Sequence, residues 1–557
     1  MMDDWQPPRK KRRGGHQQRL QQHAAEKEAP ASCESSALCL LLLNLFAWGF
    51  FSPQRVQQIA EMAVKDIERS KEDPQVLKDL YTLSNLGTKG KHANNIHAEL
   101  MSKVEHVPKI PKPFKAKVPL KGVERVQKFW RAMRLHPQMR DHPMTSSPQW
   151  ESWTVPIAVH GDGVPVTGVG KVWSRVMTNY SWYSLLGYGT TPSMLMWVWG
   201  FFDKLKVGDQ ASGTLLEYKE GSVEALRAGS WLAGGWKGAL WALTGDLDYF
   251  NAMLGTPNYS AVGGPRMHCK CTGTGAATWT DFRPQAMWRN TRWEADVWRN
   301  WDERSKCILL TLPGASCWSI AYDWVHVKYL GVDQYIFGSV MALLVSMVTP
   351  NDANQNLQNC WDCLKTFFKN HATPTPFRFL SKLSMFIRAG KYPKLRGKAS
   401  EIRHFGPALL ALWSRHQNPH LVLRQRITLM LKQNVHLEEM ITFHKDDFAL
   451  PPGPAQEFEE TANSMLLLLS QVADHFVEEG MKCFDITSKC HMLQELAILS
   501  RSINPKVTWC FMGEDQMQRM QQVAKACVRG NKLDKQTTKL ARRYRLGLRL
   551  HYLDLAA

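Results

Sequence analysis

Three carboxylates stand where they could hold divalent cations. Asp162 lies in Trp153 to Gly168 (WTVPIAVHGDGVPVTG), where Thr154, Val155, Ile157 and Val159 make a β-branched apolar run that reads as a buried strand ending in Gly161-Asp162-Gly163. The flanking glycines permit close approach of a ligand or another backbone, and Pro165 keeps a helix from starting at once. Asp323 closes a second such stretch, CWSIAYD, and Glu514 opens a helical pattern. Oxygen ligands from two strand ends and a helix suit Mg²⁺ or Mn²⁺, and two such ions can activate a water or 3′-hydroxyl and stabilise a leaving oxygen. For Asp162 alone, an ordinary Asp-Gly hairpin turn is the stronger reading, and it is Asp323 and Glu514 that favour a site.

A second group carries softer ligands. Cys269 and Cys271 flank Lys270, and with His326, three residues past Asp323, and His491 they make a thiolate and imidazole set that suits Zn²⁺. Their spacing is tighter than the usual two-residue gap, and buried inert thiols are the alternative. Cys360 and Cys363 form a CxxC inside a helical pattern and read as core thiols. Trp279, Trp288, Trp293, Trp298 and Trp301 interleave with Arg283, Arg289, Arg292, Arg299 and Arg304. Such a pattern serves either to stack on bases and pair with phosphates, or to pack a rim with cation–π pairs.

The elements that must position these groups follow in chain order. Residues 1–35 form a polar, disordered basic tail in which PPRKKRR (7–13) reads as a nuclear-import signal. Residues 36–106 form a small helical N-terminal region. Its apolar run LCLLLLNLFAWGFF (38–51) is too short to span a membrane, which takes about 20 apolar residues, and lies too far from the start for a signal peptide. Ser52-Pro53 begins a second helix. A basic, proline-punctuated linker covers 107–150. The core then occupies 151–332, with Trp236–Leu254 at helix-like spacing and GVGKVWS (168–174) rejected as a phosphate loop because Pro165 stands where its first glycine is needed. An almost wholly helical block, 333–500, is an insertion, with helices expected over 336–348, 357–368, 380–387, 408–413, 421–431 and 462–477. NPKVTWCF (504–511) reads as a short strand, and 501–557 completes the core and adds a basic helix in which Lys525, Arg529, Lys532, Arg542, Arg543 and Arg545 suit a phosphate backbone track.

Composition bounds the function. The chain has 557 residues, 44% of them hydrophobic and 22% charged, which is a globular composition and excludes a largely disordered protein. Its net charge of +20 calls for a polyanionic partner, most simply DNA. Twelve cysteines without a secretory signal read as reduced thiols of an intracellular protein.

Taken in order, several blocks resemble the catalytic region of CACTA-type DDE transposases and their relatives, including the Plavaka and KDZ groups. They are HGDGVPV (160–166), GDLDYFNAMLG with HCKC (245–271), DWVHVKYLGV (323–332), GKASEIRHF (397–405), KCHMLQEL (489–496) and WCFMGED (509–515). The chain departs from that pattern in its one-residue Cys-x-Cys gap, in Glu495 at the place of a second histidine, and in lacking a DNA-end-reading zinc finger. The resemblance implies an α/β, RNase H-like fold: a mixed sheet with flanking helices and a large all-α insertion. It further implies Asp162, Asp323 and Glu514 as a Mg²⁺- or Mn²⁺-binding triad; with the zinc set Cys269, Cys271, His326 and His491 and the import signal read above, the expectation is a nuclear protein acting on DNA as a homo-oligomer at DNA ends, without a membrane role. A domesticated, inactive DNA-binding descendant is the alternative.

Overall fold

Alternating and continuous apolar runs place four strands, and amphipathic spacing places the helices that cover them. The computed structural model describes residues 37–49, 53–70, 121–140, 142–166, 176–187, 189–202, 236–254, 267–300, 308–347, 352–416, 418, 420–528 and 534–554. In chain order the elements used below are α1 (Ala37–Ala47), α2 (Pro53–Ser70), α3 (Lys121–Met133), β1 (Thr154–Pro165), β2 (Val176–Ser184), β3 (Met196–Phe202), β4 (Lys237–Gly245), α4 (Leu247–Leu254), α5 (Asp333–Met347), α6 (Ala353–Asn370), α7 (Gly406–His416), α8 (Val422–Phe443), α9 (Pro452–Glu478), α10 (Ser488–Leu499), α11 (Phe511–Val528) and α12 (Asp534–Asp554). The chain divides into two units, one of Val118–Val164 with Met177–Met517, the other of Met1–Lys117, Pro165–Val176 and Gln518–Ala557.

The larger unit is built on a mixed sheet in the order β3-β2-β1-β4. β1 and β4 run parallel, from Thr154 opposite Lys237 to Gly161 opposite Gly245, while β2 and β3 are antiparallel. Beyond β4, Ile320 makes a single parallel bridge to Leu243. Asp323 therefore follows one bridging residue rather than a full strand, and it lies next to β4, not next to β1. The stretch Trp236–Leu254, expected as one helical pattern, is instead strand β4 followed by helix α4; a continuous apolar run buried on both faces carries no period to distinguish the two.

The expected linker 107–150 is folded from residue 121. Val126, Phe129, Trp130 and Met133 recur at helical spacing on α3 and are buried. Trp130 donates its indole N–H to Thr154 O (2.7 Å) and meets Trp241 of β4 edge-on at 5.0 Å, so α3 covers the sheet. NPKVTWCF contains no strand. Asn504 accepts from Lys506 N and Pro505 sets the first position, which makes a 3₁₀ turn over Pro505–Val507.

The helical block shares one hydrophobic core with the sheet, through Trp324, Val325, Ile336, Leu409, Met465 and Leu493 among others. A π-helical stretch, Val325–Val332, leads into α5. Together they are long and apolar enough to cross a membrane, but 78% of the window Val325–Ser346 lies inside the protein, as in a core helix. Lys328 and Asp333 form a buried ion pair (2.7 Å), and Asn434 of α8 bonds both partners. The segment 380–387, expected as helix, holds only a 3₁₀ turn, because Lys394 N and Arg396 N donate to Phe386 O and Met385 O in place of helical bonds.

In the smaller unit the apolar run is a buried helix. Leu42, Leu43 and Phe46 of α1 are covered, and α1 packs on α12, whose Leu540, Tyr544 and Leu550 are buried. Gly49 turns the chain at φ +82°, and a Cβ there would strike Gln522 O at 2.7 Å. Arg543, expected on a phosphate track, is buried here: it donates to Phe46 O (2.5 Å), and its guanidinium lies 4.1 Å from the Phe46 ring centroid. The basic tail and import signal, 71–120, 168–174, Arg529 and Lys532 fall outside the described residues.

Candidate metal centres

Two groups of side chains carry cation-binding chemistry; the first, whose ligand atoms do not gather within 4.8 Å of one another, lies where the pairing of β1 with β4 stops, while β1 itself runs on to Pro165. Gly161 and Gly245 are register partners, and a Cβ on either would strike the Tyr249 ring, at 2.1 and 2.5 Å. Only glycines let that ring close over both strands. The next residues, Asp162 inside β1 rather than at its end as expected and Asp246 just past β4, thus follow the last register pair of the two parallel strands. Asp162 Oδ1 accepts from Gly163 N and Asp246 Oδ1 from Tyr249 N, each at 2.6 Å. Glu514, in the first turn of α11, is the third carboxylate. Its approach depends on Gly513, where a Cβ would meet the His160 ring of β1 at 2.5 Å.

Charge ties the three together. Burial, then the charges of Asp246 and Glu514, push Asp162 up to about 8, against the opposing pull of His326 and the Gly163 N–H. Asp246 is also raised, first by burial, with Asp248 and Glu514 adding to it. An all-oxygen, mutually repelling set of this kind fits a hard divalent cation. Asp246 is the residue that sequence reasoning missed, although its signal is visible: His160-Gly161-Asp162 and Thr244-Gly245-Asp246 each end an apolar run with Gly-Asp.

Asp323 does not belong among the open ligands. It is 3% exposed. Its Oδ1 accepts from Val325 N (3.0 Å) and Cys510 N (2.8 Å), and its Oδ2 from His326 N (3.0 Å) and His326 Nδ1 (2.5 Å). All four of its lone-pair positions are taken. In this structure those contacts set the place of His326 and the entry to α11. His326 in turn sets Nε2 3.2 Å from Glu514 Oε1. Burial disfavours the charged ring, but hydrogen bonds and charges of Asp323 and Glu514 prevail and lift His326 to about 10.

The second cluster is closed. Among the described residues, Cys269, Cys271 and His491 are the one group of three or more His, Cys, Asp and Glu whose ligand atoms all lie within 4.8 Å of one another, a group that could hold a metal ion. The two sulfurs are 3.0 Å apart, and His491 Nε2 is 3.2 Å from Cys269 Sγ and 3.6 Å from Cys271 Sγ. The Cys-x-Cys spacing works because Cys269 bridges Arg292 and Lys270 N donates to Thr291 O, which holds the segment extended. In extended chain, residues two apart face the same side. Trp288 stands edge-on to the His491 ring at 4.4 Å, and Trp279, Ala286 and Ile498 complete an apolar shell. The expected fourth member, His326, is absent from this group because it is engaged by Asp323 and Glu514.

The remaining candidates separate by burial. Trp279, Trp288, Trp293 and Trp298 are all buried, Arg289 pairs with Glu459 (2.8 Å) and Arg283 with Asp281 (2.7 Å), so these four tryptophans form packing, not a stacking platform, while Trp301 and Arg304 lie outside the described residues. Cys360 is buried in α6 as a core thiol. Arg542 and Arg545 of α12 are exposed, and Lys525 of α11 is half-buried. No protein-family model matches the chain, and no curated protein matches its sequence.

Proposed function

We propose that this chain is a metal-dependent DNA-cleaving protein of the DDE transposase kind, on an RNase H-like sheet, and that Asp162, Asp246 and Glu514 are the ligands of its Mg²⁺ or Mn²⁺. The observation that carries the reading is the delivery of Asp162 and Asp246 side by side from parallel strands, with Glu514 within electrostatic reach. The ions supply activation of a water or 3′-hydroxyl and charge stabilisation of the leaving oxygen. Asp323 holds His326 in orientation, and His326 holds Glu514 and offsets the negative charge of the cluster. Cys269, Cys271 and His491 hold a structural Zn²⁺, the ion that two thiolates and an imidazole suit. Exposed Arg542 and Arg545, with Lys525, contact the DNA backbone of a nuclear substrate, with a second copy of the chain paired on DNA ends.

The test is nicking of supercoiled plasmid by the purified chain with Mn²⁺. Asp162→Ala should reduce nicking at least about 100-fold, since each tenfold loss is about 1.4 kcal/mol of barrier and metal activation supplies several. Salt-sensitive DNA binding with no nicking by the parent protein would instead identify an inactive DNA-binding descendant.

A further inference from the structure

One tryptophan differs from the packed set. Trp509 stands between the turn Pro505–Val507 and α11 and is half-buried, whereas Trp279, Trp288, Trp293 and Trp298 are covered. Two cations lie against its ring. Arg403 Cζ and Lys506 Nζ are each 5.2 Å from the ring centroid, and Phe511 supports the ring edge-on at 5.1 Å. Arg403 is fixed in place, donating through Nε to Glu438 Oε1 (2.6 Å) and through Nη2 to Thr442 Oγ1 (3.4 Å). Lys506 is poorly accommodated: burial, then the charge of Arg403, with Lys445 adding to it, holds its ammonium below the usual lysine range against the pull of Asp446 and Glu438. The end of α8 borders the group, since Asn504 Nδ2 donates to His444 O (2.8 Å) and Asp447 O (3.0 Å). Phe443 there is 84% exposed, and Lys445 is exposed as well.

Cations gathered on a half-buried indole fit a ligand that has both a flat ring and negative charge, which is a nucleotide. Inside a duplex each base is covered by its neighbours. Only an unpaired or extruded base offers its face. We propose that Trp509, Arg403, Lys506 and Lys445 form a subsite for unpaired DNA, in which a base stacks on Trp509 and the cations take the flanking phosphates. This rests on the reading of the chain as acting on DNA, and it adds a strand-holding subsite beside the carboxylate group. Cys510 N donates to Asp323 Oδ1 (2.8 Å) and Glu514 N to Cys510 O (2.9 Å), so the chain runs directly from the indole to Glu514. The five residues from Trp509 to Glu514 span at most about 17 Å, and nucleotides in a strand rise about 3.4 Å each, so the subsite and Glu514 meet the same few nucleotides. A strand that opens next to the cut is thereby kept from re-pairing.

The experiment compares the full chain with Trp509→Ala, Trp509→Phe and Lys506→Gln by fluorescence anisotropy, without Mg²⁺ or Mn²⁺ so that nothing is cut. The probes are a labelled oligothymidylate of about 20 nucleotides and a duplex of equal length. Trp509→Ala should weaken single-strand binding at least about fivefold and duplex binding less than about twofold, while Trp509→Phe keeps both within about twofold of the parent. Lys506→Gln should lower the salt slope of single-strand binding by about 0.7, the share of one phosphate. Unchanged single-strand binding in Trp509→Ala, or equal loss on both probes, overturns the proposal, as does a folded parent chain that does not bind the single strand. A parent that binds the strand through Trp509 yet never nicks DNA with Mn²⁺ removes the cleavage reading and leaves the subsite standing. If Trp509→Ala does not fold, photocrosslinking of the parent chain to a strand carrying 5-iodouracil decides: a crosslink mapped to Trp509 supports the subsite, and crosslinks confined to other residues overturn it.

Discussion

The two clusters differ in how their side chains are held. At the strand ends, carboxylates are partly open to solvent, repel one another and are held by few hydrogen bonds, with Glu514 46% exposed on its side chain. Around Cys269, Cys271 and His491 every ligand is buried and tryptophans close the surroundings. An open, repelling set can exchange ions and admit a substrate, whereas a closed, soft set keeps its ion and serves the fold. Within the first cluster the same contrast recurs between Asp246, which is electrostatically strained, and Asp323, which is satisfied on every side.

The largest effect should come from emptying the closed cluster. Cys269→Ser, or zinc chelation, should lower unfolding stability by about 4 kcal/mol or more where zinc exceeds Kd a thousandfold, seen as a fall in Tm and a loss of bound zinc. An unchanged Tm would reduce the cluster to ordinary buried thiols.

Next in size, Asp323→Asn should cost about 3 kcal/mol in denaturant unfolding, because the one remaining carbonyl oxygen serves one side only and the NH₂ must face either the Val325 and Cys510 N–H groups or that of His326. Asp246→Asn should change stability by about 1 kcal/mol or less, and toward greater stability, since it relieves repulsion with Asp162. Equal losses in both variants would erase the distinction between an open ligand and a structural one.

Much of this arrangement is legible in the sequence, and what is not has a physical cause. The Asp162 strand shows itself through β-branched residues closed by glycine, and α9 through long helical periodicity. The membership of Cys269, Cys271 and His491 follows from residue chemistry. Asp246 was hidden because Ala239–Gly245 is apolar on both faces, so no period separates strand from helix. His326 shares its residue type with a zinc ligand, yet only tertiary structure reveals that Asp323 and Glu514 claim both ring nitrogens. The α3 helix carries clear amphipathic spacing, but the prolines and lysines before it masked its start. Arg543 illustrates the opposite error, a basic residue in a basic helix that is consumed by packing on Phe46.

A buried histidine tests the core beneath both clusters. His136 is buried, and its Nδ1 accepts from Gln138 N. Burial, with the nearby charge of His268, lowers it to about 3. A depressed histidine must stay neutral in the folded state. Its contribution is therefore complete above the unfolded value of about 6.5 and is lost as pH falls toward 3, a few kcal/mol in all. Melts between pH 7 and 4 should show this fall in the parent chain and a shallower one in His136→Gln. Parallel pH profiles would contradict the assignment.

The central claim, that Asp246 and not Asp323 joins Asp162 and Glu514 around the exchangeable cation, is tested most directly by Mn²⁺ titration of the parent, Asp246→Asn and Asp323→Asn chains, reading free Mn²⁺ by electron paramagnetic resonance. The account predicts that Asp246→Asn weakens binding at least about tenfold, while folded Asp323→Asn, which loses only its hold on His326, weakens it less than about threefold. Parent-like Mn²⁺ binding by Asp246→Asn, with binding lost in folded Asp323→Asn, would contradict it.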